Sequence, residues 1–166
     1  YQLISGLPSG ATFPVGTTTN VYMVTDSAGN SATCSFDVTI TDTQNPTITC
    51  PANVNISTSA GGSENCEGEY SWTIPTPDDN CLITNFTVIY TNPNGTIDGP
   101  HVCYPYAPEH PSNLIGNLNV ANRNFALGVT TITYYVEDAN GNTTTCSFTV
   151  TVTDNEAPTF VNCPSG

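Results

Sequence analysis

Two stretches of this chain are copies of one another. Residues 13–47 read FPVGTTTNVYMVTDSAGNSATCSFDVTITDTQNPT and residues 125–159 read FALGVTTITYYVEDANGNTTTCSFTVTVTDNEAPT; they align without a gap at a constant offset of 112, with roughly half the positions identical. A Cys-Pro pair follows each copy, Cys50-Pro51 after the first and Cys163-Pro164 after the second. Self-similarity at a fixed period marks a repeat architecture and constrains every other reading of the chain. Each copy has the form of a β-hairpin. One strand runs up to Asp26 or Asp138, the turn is Ser27-Ala28-Gly29-Asn30 or Ala139-Asn140-Gly141-Asn142, and a return strand follows. Gly and Asn tolerate the positive φ that such turns require. The return strand alternates with period two. Cys34, Phe36, Val38 and Ile40 share one face, as do Cys146, Phe148, Val150 and Val152 in the second copy. One apolar and one polar face per strand is the pattern of an antiparallel sandwich.

Composition agrees. Thr, Ser, Asn, Gly and Pro dominate, Val, Ile, Tyr and Phe supply most of the apolar surface, and no segment shows a helical period. The fold class read from these features is all-β. Taken together, the Cys-Pro openings, PTPDDNC, FPVGTTT, TDSAGN and TCSFDVTITDTQNP resemble the hyalin repeat (HYR) domain over nearly the whole chain except residues 92–120. The resemblance implies tandem immunoglobulin-like antiparallel β-sandwich repeats, one complete and one or two partial. It also implies an extracellular adhesive or structural role, without catalytic residues.

The expected boundaries follow the repeat. Residues 1–42 are the C-terminal half of one repeat. Residues 43–154 are a complete repeat, with strands near 47–57, 69–75, 83–91, 130–137 and 144–153 and an insertion over 92–120. Residues 155–166 open a further repeat, which could complete the half-repeat of a neighbouring subunit by strand addition. Head-to-tail contacts of that kind do not close and give filaments. A window on a longer continuous chain, or a half-repeat packed on the complete one, are the alternatives.

Charge excludes several functions. Fourteen acidic residues face Arg123 as the sole lysine or arginine, for a net charge of −13. No basic surface exists to neutralise phosphates, so nucleic acid is excluded as a partner and anionic lipid is disfavoured. No stretch is apolar enough to span a membrane, so no membrane insertion is expected. Without lysine, no Lys–Asn isopeptide staple can form. Covalent staples must come from the seven cysteines. Their scatter between strands points to disulfides in an oxidising, extracellular compartment and gives no zinc-ribbon spacing. Cys50–Cys81 is the favoured pair, with Cys146 as the rival partner for Cys50. Cys66–Cys103 is geometrically feasible, and Cys34 and Cys163, which lie in incomplete repeats, could join subunits.

Divalent cations are the natural ligands of so acidic a chain. Strand direction brings Asp42, Asn45, Asp78, Asp79 and Asp138 towards the entrance of the complete repeat, a set of oxygens suited to calcium, although such residues also serve ordinary turns. The sequons at Asn55, Asn85, Asn94 and Asn142 are candidates for N-linked glycans, and Ser27, in Asp26-Ser27-Ala28, for an O-linked one. His101 and His110 lie among the tyrosines of the insertion, where surface placement is the commoner role than metal binding. An enzyme is not expected, since there is no nucleophile elbow and no phosphate loop. The function read from the sequence is an extracellular structural repeat, a segment or subunit of a surface filament or matrix whose partners are copies of itself. The alternatives are a cell-surface adhesin that binds a glycan or protein receptor through residues 92–120, and an accessory module of a secreted enzyme.

Overall fold

The computed structural model describes residues 1–58, 66–103 and 120–157. The chain divides into two units, Tyr1–Thr43 and Gln44–Gly166. All regular structure among the described residues is β.

The first unit is a three-stranded sheet in the order β1 (Gln2–Ser5), β2 (Gly16–Thr25), β3 (Ser31–Ile40). The β2–β3 hairpin pairs from Gly16↔Ile40 to Thr25↔Ser31 without a slip. Its turn is closed by Asp26, whose Oδ1 accepts hydrogen bonds from the backbone N–H of Ala28 (2.9 Å) and Asn30 (2.8 Å). Gly29 takes the left-handed conformation (φ 89°) that the reversal requires.

The second unit has a five-stranded sheet in the order β4 (Val54–Ser57), β10 (Thr143–Thr153), β9 (Gly128–Asp138), β6 (Ile83–Thr91), β7 (Ile97–Val102). A two-stranded sheet of β5 (Glu67–Thr73) and β8 (Val120–Ala126) completes it. The inward faces of the strands, Phe86 and Val88 on β6, Ile132, Tyr134 and Val136 on β9, and Phe148, Val150 and Val152 on β10, form one core with Trp72 of β5 and Phe125 of β8. Trp72 links the sheets: its Nε1–H donates to the Tyr134 hydroxyl at 2.8 Å, and its ring meets Phe148 edge-on at 5.8 Å. The bond satisfies two polar groups that would otherwise be buried unpaired.

Several expectations shift. The first strand of this unit is shorter than 47–57. Pro51 has no N–H to give to a ladder, and strand pairing starts only at Val54, while Thr47 forms an isolated bridge with Asp78. β4 does not pair with β5; it runs parallel to β10 and belongs to the other sheet. The insertion starts as a hairpin: β6 turns at Asn92-Pro93-Asn94-Gly95 into β7, which extends the large sheet. Of the insertion, residues 104–119 lie outside the described residues.

The two copies of the repeat fold alike. β9–β10 pairs from Gly128↔Val152 to Glu137↔Thr143, the register of β2–β3 displaced by 112 residues. β1 stands beside β2 as β6 stands beside β9, both antiparallel, with Leu3 opposite Tyr22 and Val88 opposite Tyr134. The first unit therefore reproduces the β6–β9–β10 part of the second.

Candidate functional site

The same hairpin has two environments. In the second unit Val136, Phe148 and Val152 are 0 %, 1 % and 2 % exposed; their counterparts Val24, Phe36 and Ile40 in the first unit are 54 %, 52 % and 38 % exposed. These exposed residues share one face of the β2–β3 hairpin, the face that the second unit turns into its core. Tyr22 and Phe36 stack on this face with ring centroids 6.2 Å apart, and a groove of about 470 Å³ lined by Tyr1, Tyr22, Val24 and Cys34 opens beside them. Among the described residues β3 pairs only with β2, and Cys34 on it is exposed and joined to no other described cysteine. One inward position differs in kind. Asn20 stands where the second copy has Ile132; it is fully buried, and its Oδ1 accepts from Leu7 N–H at 2.8 Å. A side chain at Gly6 would collide with Asn20, so this local plug requires glycine there.

Cys146, the counterpart of Cys34, is bridged to Cys50 with a Cα–Cα separation of 5.7 Å. The favoured Cys50–Cys81 pair is therefore corrected to Cys50–Cys146. Cys81 would be reached if the first two strands of the unit paired antiparallel, which they do not. The actual ladder joins Val54 to Val150 in parallel, an offset of 96 residues, and extending that offset backwards sets Cys50 beside Cys146. Cys66 and Cys103 are not joined. Cys66 is exposed, whereas Cys103 is buried in the core, where burial pushes its thiol up to about 12. Cys163 lies outside the described residues.

The proposed calcium ligands of the second unit share one end of it. The Thr47–Asp78 bridge brings the Asn45 segment to the loop of Asp78 and Asp79, and Ala139 N–H donates to Leu82 O (2.8 Å), which places the Asp138 turn there too. Their oxygens differ in availability. Asp138 is buried and closes its turn as Asp26 does: Oδ1 accepts from Asn140 and Asn142 N–H (both 2.8 Å) and Oδ2 from Asn142 Nδ2 (2.7 Å). Asp79 Oδ2 accepts from Cys81 N–H at 2.8 Å, while its Oδ1 is buried without a hydrogen-bond partner among the described residues. Asp42 belongs to the first unit.

The sequons separate by geometry. Asn94 is exposed at the tip of the β6–β7 hairpin, and its Oδ1 accepts from the Thr96 N–H and hydroxyl. Asn142 donates its amide nitrogen, the atom a glycan would occupy, to Asp138. Asn55 is exposed on β4, Asn85 half-buried on β6, and Ser27 exposed in the β2–β3 turn.

The sequence reading missed a clamp on the insertion. Arg123 on β8 pairs with Asp98 on β7, and its guanidinium lies 4.1 Å above the Tyr90 ring. His101 Nε2 stands 3.0 Å from the other Asp98 oxygen. The Arg123 hydrogen bond first, and then His101, hold the Asp98 carboxyl below its usual range. The uniqueness of Arg123 was the available signal; its partner was not readable from spacing. His110 lies outside the described residues.

Comparison with known proteins places these features in a family. The HYR domain model matches residues 2–40 and 109–152. Hyalin of Strongylocentrotus purpuratus is 31 % identical over an alignment of 169 residues that takes in 98 % of this chain. The chain spans only 11 % of that protein. A solved structure of Clostridium thermocellum CbhA fibronectin(III)-like modules is 16 % identical with a TM-score of 0.42, covering 89 % of this chain and 69 % of that one.

Proposed function

The chain belongs to the HYR domain family, and from that premise we propose that it is an extracellular structural segment, a link in a surface filament or matrix in which repeats join head to tail. The supporting observation is the repetition itself: one sequence pattern recurs at an offset of 112 residues and folds into one hairpin register in both units. The Cys50–Cys146 bridge fits the oxidising space outside cells. The strong acidity, a net charge of −13, keeps such segments in solution. The test is electron microscopy of the purified chain, not reduced. Beaded filaments support the reading; discrete monomers at all concentrations overturn it.

Calcium is a second component of this proposal. It rests on the buried Asp79 Oδ1, which lacks a donor, at the end that also carries Asn45 and Asp78. A hard cation would satisfy that oxygen, with carboxylate and carbonyl groups around it. Glycans, if carried, suit Asn94 best, because its tip position leaves them in solvent.

A further inference from the structure

The tip of the β6–β7 hairpin holds a sequon in a fixed turn. Asn92 N–H donates to Thr96 O and Gly95 N–H to Asn92 O, both at 2.9 Å, and Gly95 takes the left-handed conformation (φ 80°) that closes the reversal. Within that frame Asn94 forms an Asx turn: its Oδ1 accepts from Thr96 N–H at 3.0 Å and from the Thr96 hydroxyl at 2.7 Å. Asn92 Nδ2 donates to the same hydroxyl oxygen at 3.0 Å, which leaves the hydroxyl hydrogen for Asn94. Both of these Asn94 bonds use its oxygen. Donation to an amide oxygen polarises the group and makes its nitrogen protons easier to lose. At Asn142, by contrast, the amide nitrogen is itself a donor to Asp138. A cleft of about 390 Å³ opens beside the tip, lined by Pro93 and Asn94 of the hairpin, Glu67 of β5, and Asn124, Ala126 and Leu127 at and just beyond the end of β8. The hairpin and the β8–β9 corner pack closely here, since a Cβ at Gly128 would meet Pro93 Cβ at 2.9 Å.

We propose that Asn94 is an N-linked glycan acceptor whose first sugar, an N-acetylhexosamine, seats in the cleft beside it. This deepens the extracellular reading, and it rests on that reading for the compartment in which such a transfer takes place. The cleft mixes apolar carbon from Pro93, Ala126 and Leu127 with the amide of Asn124 and the carboxylate of Glu67. An N-acetylhexosamine presents the matching set: a ring with an apolar face, an acetamido group and hydroxyls. Few, well-placed polar groups in an otherwise apolar cleft are what fixes a small ligand. The rest of the glycan runs from the tip into solvent. In the transfer, the Asn94 amide nitrogen attacks the anomeric carbon of an oligosaccharide carried on a lipid diphosphate. The new C–N bond forms as the C–O bond to the diphosphate breaks, the nitrogen gives up a proton, and the lipid diphosphate leaves. Nothing is oxidised or reduced in that step.

The experiment secretes the full chain from a eukaryotic host, trims its glycans with an endoglycosidase to one sugar per site, and compares it with the same chain made without glycans in a bacterial periplasm. Glycopeptide mapping by mass spectrometry reads Asn94. Hydroxyl-radical footprinting reads the accessibility of Leu127 against Val129, which is equally exposed at 48 % but does not line the cleft. An N-acetylhexosamine on Asn94 is expected. Labelling of Leu127 should fall about threefold or more in the sugar-bearing form, because a seated ligand buries the surface it covers, while Val129 stays unchanged. An unmodified Asn94 overturns the acceptor, and equal labelling of Leu127 in the two forms overturns the seat. This proposal and the filament reading fail separately. Filaments built from chains with a bare Asn94 refute the acceptor and leave the filament standing. A chain that stays monomeric with Asn94 occupied and Leu127 shielded supports the glycan seat and refutes the filament.

Discussion

Single residues decide how each hairpin is held. Asp26 and Asp138 make the same turn, but Asp26 is solvent-exposed and Asp138 is buried under the strand end it shares with Ile83. Replacing a buried acceptor leaves its donors unpaired at about 1–3 kcal/mol each, whereas water can satisfy exposed ones. Asp138→Ala is therefore expected to lower the unfolding free energy far more than Asp26→Ala, as read by denaturant melts. The Trp72–Tyr134 bond has the same logic. Trp72→Phe removes the donor and leaves the Tyr134 hydroxyl buried, a loss of about 1–3 kcal/mol. A Tyr134→Phe change made with it should recover part of that loss, which a double-mutant melt would detect.

Elements are fixed by their neighbours. The disulfide ties the start of the second unit to the start of its last strand, across 96 residues of sequence. Cys146→Ser is expected to destabilise the unit by about 2–5 kcal/mol, and Cys81→Ser to leave the Cys50–Cys146 bridge intact by peptide mapping under non-reducing conditions. β7 depends on a different device. Asp98, held in its charged form by Arg123 and His101, has a folded pKa below its ordinary 3.8. A depressed carboxyl pKa stabilises at pH values above the unfolded value, and the stabilisation is lost as pH falls through the lower folded one. Amide exchange in β7 should thus speed up on acidification below about pH 3.8 more than in β9. In Asp98→Asn that selective acid response should be absent.

At the scale of the whole molecule, proteolysis reads both fold and staple. Arg123 is the only tryptic site; it lies within β8, engaged with Asp98 and Tyr90. Native protein is expected to resist trypsin. Unfolded but unreduced protein should be cut once and stay joined, because Cys50–Cys146 spans the cut; reduction should release two pieces on a denaturing gel. If calcium fills the Asp79 end, millimolar-range calcium should raise the midpoint of thermal unfolding, by the linkage of ligand to the native state, and a chelator should reverse it. No shift in a calcium titration would remove calcium from the proposal.

Local and repetitive features are legible in the amino-acid sequence. Period-two alternation fixed which faces of β3 and β10 are apolar, Gly and Asn fixed their turns, and the offset of 112 made one hairpin readable from the other. These features are legible because they depend on neighbours a few residues apart, where backbone geometry leaves little choice. Tertiary structure decided the rest. Cys50 could reach Cys81 or Cys146 by spacing alone, and only the parallel placement of β4 on β10 selected Cys146. The Arg123–Asp98–Tyr90 clamp joins β8, β7 and β6 from two sheets, and no local pattern encodes such a meeting. Phe36 and Phe148 carry the same pattern and opposite burial. Alternation records which face of a strand is apolar, but what covers that face is set by segments distant in the chain or in another molecule.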